Sequence, residues 1–322
     1  MATAIASFFR HFRGFSATGL LQSPAVLAYN LRMNQPAVLV EHDVCNATLI
    51  ARHDLTAQRS IIRCRPDSGR VPSFVPGQFI KLGLPRSEEE LEALSRMGRA
   101  QAPLRLVRRA YSMTSTPHQT DFMEFLIIRV EQGKLTPQLW NLDVGSRIWM
   151  DDHASGLFTL ESILLGQDVV MVSTGTGIAP FISMLRTMVD EPPWRHAVVI
   201  NGARYIADLS YRDELEAMAR THANIQYIPI VSREGVDVGG GEGAPVGINV
   251  SRGPFLHGRV QRVLESDIYK SLTGRALAPH HCHVMLCGNP AMIESAQTDL
   301  EHRGFCTQTP IKPGNIHFER YW

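Results

Sequence analysis

Apolar and polar positions change rhythm once along the 322-residue chain. From about residue 38 to 158, short apolar segments (47–50, 60–63, 78–82, 125–130, 148–150) are separated by Pro66-Asp67-Ser68-Gly69, Pro76-Gly77 and Val144-Gly145-Ser146. Short strands punctuated in this way predict an antiparallel barrel. Ser87-Glu88-Glu89-Glu90 departs from the pattern. It forms a capping box with Arg96 near the end and Gly98 beyond, so it predicts a short helix inserted in a barrel loop. From about residue 160, strand and helix alternate. Strands are predicted at 168–173, 196–200, 225–231 and 283–286, and helices at 180–189, 209–220 and 290–302. The first of these strands is almost purely apolar, as suits burial on both faces, and the alternation predicts a doubly wound parallel sheet. A glycine-rich loop from Gly235 to Gly247 interrupts it. No helix opens directly after that loop, so it is expected to be a mobile surface insertion and not a phosphate cradle.

Composition narrows the classes. Apolar residues make up 44%, enough for a sizeable core, and the length suits two domains. The formal net charge of +1 argues against a protein that holds nucleic acid electrostatically. No apolar run approaches the length of a membrane span. Five scattered cysteines (Cys45, Cys64, Cys282, Cys287, Cys306) with no C-x-x-C pair imply reduced thiols and a cytoplasmic location. Residues 1–40 hold Arg10, Arg13 and Arg32 and no acid, which leaves the remainder slightly negative. Ile5, Phe8, Phe9, Phe12 and Phe15 recur there at helical spacing. Such a start resembles an organellar transit peptide; the alternative is a start read too early, with Met33 as the first residue. On either reading, residues 1–37 are expected to be a poorly ordered extension outside the catalytic fold.

The strongest local signal in the second half is Thr174-Gly175-Thr176-Gly177-Ile178-Ala179-Pro180. Glycines let a backbone approach a phosphate closely, and the unpaired N–H groups of a helix start hold it. Proline suits the first helical position. The spacing is G-x-G-x-x-P, so the usual dinucleotide fingerprint is not met, and a plain strand-to-helix turn stays open as the other reading. Arg204 and Arg233 close successive strands, and Arg259 follows His257-Gly258. No acid ends the 196–200 strand, where an NAD site would place one, so a 2′-phosphate and NADP are favoured. In the first half, Arg109-Ala110-Tyr111-Ser112 supplies a cation, a flat ring and a hydroxyl. Strand alternation puts Arg109 and Tyr111 on one face and Ser112 on the other unless the strand twists or bulges. His280-His281-Cys282-His283 has four donors in succession where zinc ligands pair across a loop, so no metal is expected. The terminal Tyr321-Trp322 suggests a tail packed on something flat.

Seven segments in order, with that tail, resemble the ferredoxin–NADP reductase family and its bacterial ferredoxin/flavodoxin–NADP reductases. They are the segments running from Pro76 to Leu84, Arg109-Ala110-Tyr111-Ser112, Gly133-Lys134-Leu135-Thr136, Gly175 to Pro180, Ala203-Arg204-Tyr205, Val231-Ser232-Arg233-Glu234 and Cys287-Gly288-Asn289-Pro290. The resemblance covers roughly residues 45–322. It implies an FAD-binding antiparallel β-barrel over 38–158 followed by an NADP-binding α/β domain over 159–322. It also implies electron transfer between NADPH and a one-electron carrier, ferredoxin or flavodoxin, through hydride transfer to or from FAD N5.

By the same resemblance, Arg109 pairs with the FAD pyrophosphate, Tyr111 stacks on the isoalloxazine and Ser112 hydrogen-bonds near N5. Ala110, Phe125, Lys134, Leu135, Thr136 and Thr176 complete the FAD contacts, with Tyr321 and Trp322 covering the rings. Gly175, Gly177, Ala203, Arg204, Ser232, Arg233 and Arg259 serve NADP. Cys287, with Gly288 and Asn289, lines the nicotinamide site, Glu319 assists proton movement, and Ser112, Cys287 and Glu319 are the catalytic candidates. The chain is expected to act as a monomer without a metal.

Two insertions depart from the family pattern. The stretch from Arg86 to Arg108, with Arg96, Arg99 and Arg105, reads either as a docking surface for an acidic carrier or as a solvated helix. The Gly235–Gly247 loop lies beside the proposed 2′-phosphate site. Two other functions stay open: a flavin reductase component serving an oxygenase or other electron-transfer complex, and a non-catalytic flavin- or nucleotide-binding subunit.

Overall fold

The computed structural model describes residues 44–98, 105–163, 165–233 and 255–320. Expectations for the 1–37 head, the Gly235–Gly247 loop, Arg99, Tyr321 and Trp322 fall outside the described residues. From Cys45 on, the described chain forms one compact unit.

Its first half holds β1 (Ala47–Thr56), β2 (Arg59–Pro66), β3 (Phe79–Pro85), α1 (Glu88–Arg96), β4 (Leu106–Ser112), β5 (Met123–Ile128), α2 (Thr136–Trp140) and β6 (Arg147–Met150). The strands pair antiparallel in the order β4-β3-β6-β1-β2-β5. The two edges meet where Met113 bridges Phe125 and Thr114 N donates to Glu124 O at 2.9 Å, which closes the barrel. Alternation decides what fills it. Along β5, Met123, Phe125 and Ile127 join Leu49, Ile80 and Leu82 in the barrel core, while Glu124, Leu126 and Ile128 face outward. The inserted α1 forms as its capping box predicts: Ser87 Oγ accepts from Glu90 N at 3.2 Å. None of its residues is buried, and its own acids pair with Arg86 (Glu90, 3.6 Å) and Arg96 (Glu92, 3.1 Å).

The second half holds β7 (Asp168–Thr174), a 3-10 turn (Gly175–Ile178), α3 (Ala179–Met188), β8 (His196–Ala203), α4 (Arg212–Thr221), β9 (Ile225–Val231) and β10 (Leu256–His257). It continues with α5 (Val260–Val263), α6 (Ser266–Thr273), β11 (Cys282–Gly288), α7 (Pro290–His302) and β12 (Ile316–Arg320). All pairs are parallel, in the order β10-β9-β8-β7-β11-β12. The chain builds outward from β7 to β10, then returns to lay β11 on the other side of β7. The strand order therefore reverses between β7 and β11, which opens a crevice at their carboxyl ends. Along β7, Val170 and Val172 enter one face's core with Val198 and Ile200. Val169 and Met171 enter the other with Val199 and Phe181.

Three local expectations shift. The helix expected to open at Pro180 begins at Ala179, after a 3-10 turn made of the glycine-rich residues themselves, with Pro180 in its first turn. The helix expected from residue 209 begins at Arg212, because a 3-10 turn (Ile206–Asp208) comes first. Neither α6 nor β12 was anticipated; in β12 the polar His317, Glu319 and Arg320 mask the apolar signal. No helix of the described residues is long and apolar enough to cross a membrane.

Candidate functional site

A cleft of about 800 Å³ runs between the barrel and the β7–β11 end of the parallel sheet. One wall is β4. Arg109, Ala110, Tyr111 and Ser112 all line it, although alternation assigned Ser112 to the other face. The reason is tertiary. β4 is an edge strand, and the chain turns into the barrel closure at Met113 directly after Ser112, so both faces of its last residues reach the opening. Arg109 is exposed, and its Nη1 donates to the neighbouring Arg108 carbonyl at 2.7 Å. The Tyr111 hydroxyl is buried with no hydrogen-bond partner among the described residues. Burial pushes its pKa up despite Arg109, so it stays a protonated donor. Leaving such a donor unpaired costs about 1–3 kcal/mol. An orphaned phenol on the wall of a large cleft fits a ligand that accepts its hydrogen bond.

The floor is the turn through Gly133-Lys134-Leu135-Thr136. Gly133 N donates to Val130 O at 2.8 Å, and a Cβ on Gly133 would lie 2.9 Å from that same oxygen. Thr136 Oγ1 accepts from Val130 N at 2.9 Å and donates to Val130 O at 3.1 Å. The Thr136 hydroxyl thus holds the turn, and the Leu135 side chain sits in the barrel core. What this turn offers the cleft is the exposed Lys134 and backbone N–H groups of the first turn of α2.

Phe125 is a correction. It was expected beside the flavin, but it is fully buried inside the barrel. With a period of two, Leu126 and Ile128 line the cleft instead. The alternation of β5 carried that signal and could have assigned them. Phe79, Val130 and Arg320 are also lining residues that the sequence reading left out.

The opposite wall comes from the 3-10 turn and β12. Thr176 and Ala179 line the cleft. Gly175 takes φ +59°, and a Cβ on Gly177 would lie 2.2 Å from Cys287 O, so the turn sits directly on β11. Cys287 is fully buried behind it and does not line the cleft. Gly288 takes φ +129°, with a Cβ position 2.5 Å from Thr174 O. Asn289 is engaged as the cap of α7: its Oδ1 accepts from Ala291 N at 2.9 Å and Met292 N at 3.3 Å, while its own N donates to Thr174 Oγ1 at 3.0 Å.

Glu319 reaches the cleft from β12 and accepts a hydrogen bond from Ser112 Oγ at 3.2 Å, across 207 positions of sequence. Burial pushes its carboxyl up to about 7, with the Ser112 bond pulling the other way. A half-buried carboxyl that gains or loses a proton near neutrality, joined to a hydroxyl, is able to store a proton at the wall.

Arg204, Arg233 and Arg259 follow the carboxyl ends of β8, β9 and β10, three adjacent strands. Ser232 N donates to Ala203 O, Arg233 N to Arg204 O (both 3.0 Å) and Gly258 N to Val231 O (2.9 Å), so the ladder continues past the strands and sets the residues side by side. The three arginines and Ser232 are exposed, and none of the arginines has a carboxylate within ion-pair distance among the described residues. An exposed row of unpaired guanidinium groups suits an anion of high charge. Elsewhere, Asp168, His281 and Cys282 bring donor atoms within 4.8 Å of one another. Both Asp168 oxygens are held by Arg195, at 2.9 and 3.1 Å, whose charge opposes a cation there.

Residues 171–245 match the model of the oxidoreductase NAD-binding domain family. The chain is 31% identical over 251 residues to the flavodoxin/ferredoxin–NADP reductase of Escherichia coli, covering 77% of this chain and 88% of that one. It is 30% identical over 262 residues to ferredoxin–NADP reductase A of Sorangium cellulosum, covering 78% and 82%. In fold it is similar to a ferredoxin–NADP+ reductase from Neisseria gonorrhoeae solved with bound FAD and NADP. That match has a TM-score of 0.69 and 22% identity, and covers 85% of this chain and 97% of that one.

Proposed function

This chain belongs to the flavodoxin/ferredoxin–NADP reductase family, and from that premise we propose how its own residues run the family's reaction. The protein is an oxidoreductase that uses FAD and NADP(H) and passes electrons between NADPH and a one-electron carrier. Bound FAD supplies the centre that exchanges two electrons with NADPH as hydride and one at a time with the carrier.

We assign FAD to the barrel cleft, within residues 38–158, and NADP to the sheet, within 159–322. The observation that carries the assignment is the unpaired Tyr111 hydroxyl on one wall of a cleft whose other wall is the Thr176 turn. Arg109 and Lys134, both exposed at the cleft, are suited to a pyrophosphate. Tyr111 offers a ring for stacking. Leu126, Ile128 and Ala179 keep water from the meeting point. Ser112 and Glu319 hold a proton between Oγ and Oε2. Arg204, Ser232, Arg233 and Arg259 suit the adenosine 2′-phosphate of NADP, which separates NADPH from NADH.

Ferredoxin or flavodoxin is the carrier we propose, with the protein acting as a monomer. A cytoplasmic location is part of the same proposal.

The purified protein should be yellow and should pass electrons from NADPH to cytochrome c faster when ferredoxin or flavodoxin is added. A colourless protein that takes up no FAD refutes the reading, and carrier addition without effect points to an oxygenase-serving component. Arg233→Ala should raise the KM for NADPH by roughly 5- to 100-fold, as the loss of a charge-assisted pair implies, and leave that for NADH nearly unchanged. Equal effects on both would remove the 2′-phosphate role.

A further inference from the structure

Beside the cleft, a second set of contacts joins the same two halves. Glu124, on the outward face of β5, is 3% exposed. Its Oε1 accepts from Arg186 Nη1 at 2.8 Å, Thr114 Oγ1 at 3.0 Å and the Tyr211 hydroxyl at 3.1 Å; its Oε2 accepts from Arg63 Nε at 2.9 Å. Arg186, on α3, donates through Nε and Nη2 to both oxygens of Glu214 at 2.6 and 2.8 Å, and through Nη1 also to Thr114 O at 2.9 Å. Ser183, one helical turn earlier, donates to Ser115 O at 2.7 Å, and Ser115 Oγ accepts from Glu124 N at 2.9 Å. A separate ion pair, Arg59 with Asp208, ties β2 to the loop before α4.

Tyr211 stands at the head of α4 with φ +60°, the only non-glycine residue with positive φ among those described. That conformation costs about 1–2 kcal/mol for an L side chain. It is held where it places the Tyr211 hydroxyl on Glu124 and Thr114, and the ring 5.1 Å under the Arg186 guanidinium. Burial alone would raise the Glu124 carboxyl; Arg186, Arg63 and Thr114 outweigh it and hold it below the usual carboxylate range. Two acids and two arginines thus balance in a site that apolar side chains would fill at equal or lower cost. What the polar set adds is direction, since each bond fixes a distance and an angle.

The segments it fixes are the two walls of the cleft. Thr114 and Ser115 lie two and three residues beyond Ser112, and Glu124 precedes Leu126 and Ile128 on the same face. Ser183 and Arg186 lie on the helix that opens at Ala179, just after Thr176. We propose that the Glu124–Arg186–Tyr211 brace consists of positioning residues for the electron-transfer step: it sets the gap between the Ser112–Ile128 wall and the Thr176–Ala179 wall. None of the three touches the cleft itself. The inference rests on the reading that both cofactors meet in that cleft.

The test uses the full-length holoenzyme with Tyr211→Phe, which removes one hydroxyl and keeps the ring, and Arg186→Lys, which keeps the charge and loses the fork. A misplacement of about 1 Å costs up to roughly 100-fold. In rapid mixing, NADPH should therefore reduce the FAD of both variants about 10- to 100-fold more slowly than that of wild type, with an altered isotope effect from 4-deuterated NADPH. FAD affinity and NADPH affinity should change little. In the FAD-free chain, hydrogen exchange should rise at 113–116 and 179–186 together.

Variants that fold, bind FAD and show wild-type reduction rate and isotope effect overturn the proposal. So does a rate that falls only in proportion to lost FAD. If Arg186→Lys does not fold, Tyr211→Phe decides alone. A wild type that NADPH does not reduce overturns the functional reading and the brace's role with it; a normal wild type with unaffected variants overturns the brace alone.

Discussion

Glu319 carries the sharpest chemistry of any single side chain here. Its carboxyl is neutral below about 7 and ionised above. An ionised carboxylate beside the cleft opposes the arrival of negative charge from NADPH. Turnover with saturating NADPH is expected to fall several-fold as pH rises through that value. Glu319→Gln, permanently neutral, should give a flat profile over the same range; a break that survives the substitution would assign the proton elsewhere. Tyr111→Phe isolates another atom. It keeps the ring and removes the unpaired hydroxyl, so FAD affinity should weaken by roughly 3- to 10-fold, the value of one hydrogen bond, in a titration of FAD-free protein. At this scale the sequence was informative in part. Arg109 and Tyr111 line the cleft, and their types announced a site for an anion and a ring; Lys134, also in its lining, was named through the family resemblance. Phe125 was legible only as an aromatic residue; its turn into the barrel follows from its parity along β5.

Between elements, packing and hydrogen bonding make separate predictions. Gly177 has no room for a side chain, because the carbonyl against it belongs to the β11 backbone. Gly177→Ala should destabilise by about 1–3 kcal/mol through overpacking, read as a lower Tm, and should displace the Thr176 wall. β11 and β12 are also joined by His283 Nδ1 and His317 Nε2, 2.9 Å apart. Burial pushes both imidazoles below the usual 6.5, His317 to about 4 with help from His283. The Ser162 hydroxyl also faces the pair, 3.5 Å from His317 Nδ1. Because the unfolded chain binds these protons first, their contribution is whole above about 6.5 and is lost as pH falls toward 4. Glu319 works in the opposite sense between 4.5 and about 7, since its folded form holds the proton longer. The histidine contribution is therefore read as the difference between wild type and His317→Asn. Wild type should gain Tm over the variant as pH rises from about 4 to 6.5, and parallel curves would remove the pair as its source. Most strands and the capped α1 were readable from periodicity and turn residues. β12 was not, because its outward positions serve a site and carry charge.

For the whole molecule, the two halves share one cleft, to which FAD is assigned, so stability should follow occupancy. FAD at a hundred times its Kd should add about 2.7 kcal/mol, seen as a higher Tm in a single transition. Two separate transitions, with only the lower moved by FAD, would mean that the halves unfold independently.

The chain's periodicities determined a barrel followed by a doubly wound sheet, and the order of its glycine, arginine and aromatic motifs carried the resemblance to the reductase family. Such signals are local: each arises from neighbours within one strand or one turn. Tertiary structure alone decided that Cys287 lies behind the turn, that Ser112 meets Glu319, that Glu319 keeps a proton near neutrality, and that Glu124, Arg186 and Tyr211 converge. Those facts depend on burial and on contacts between residues tens to hundreds of positions apart, and no periodicity within a single element records them.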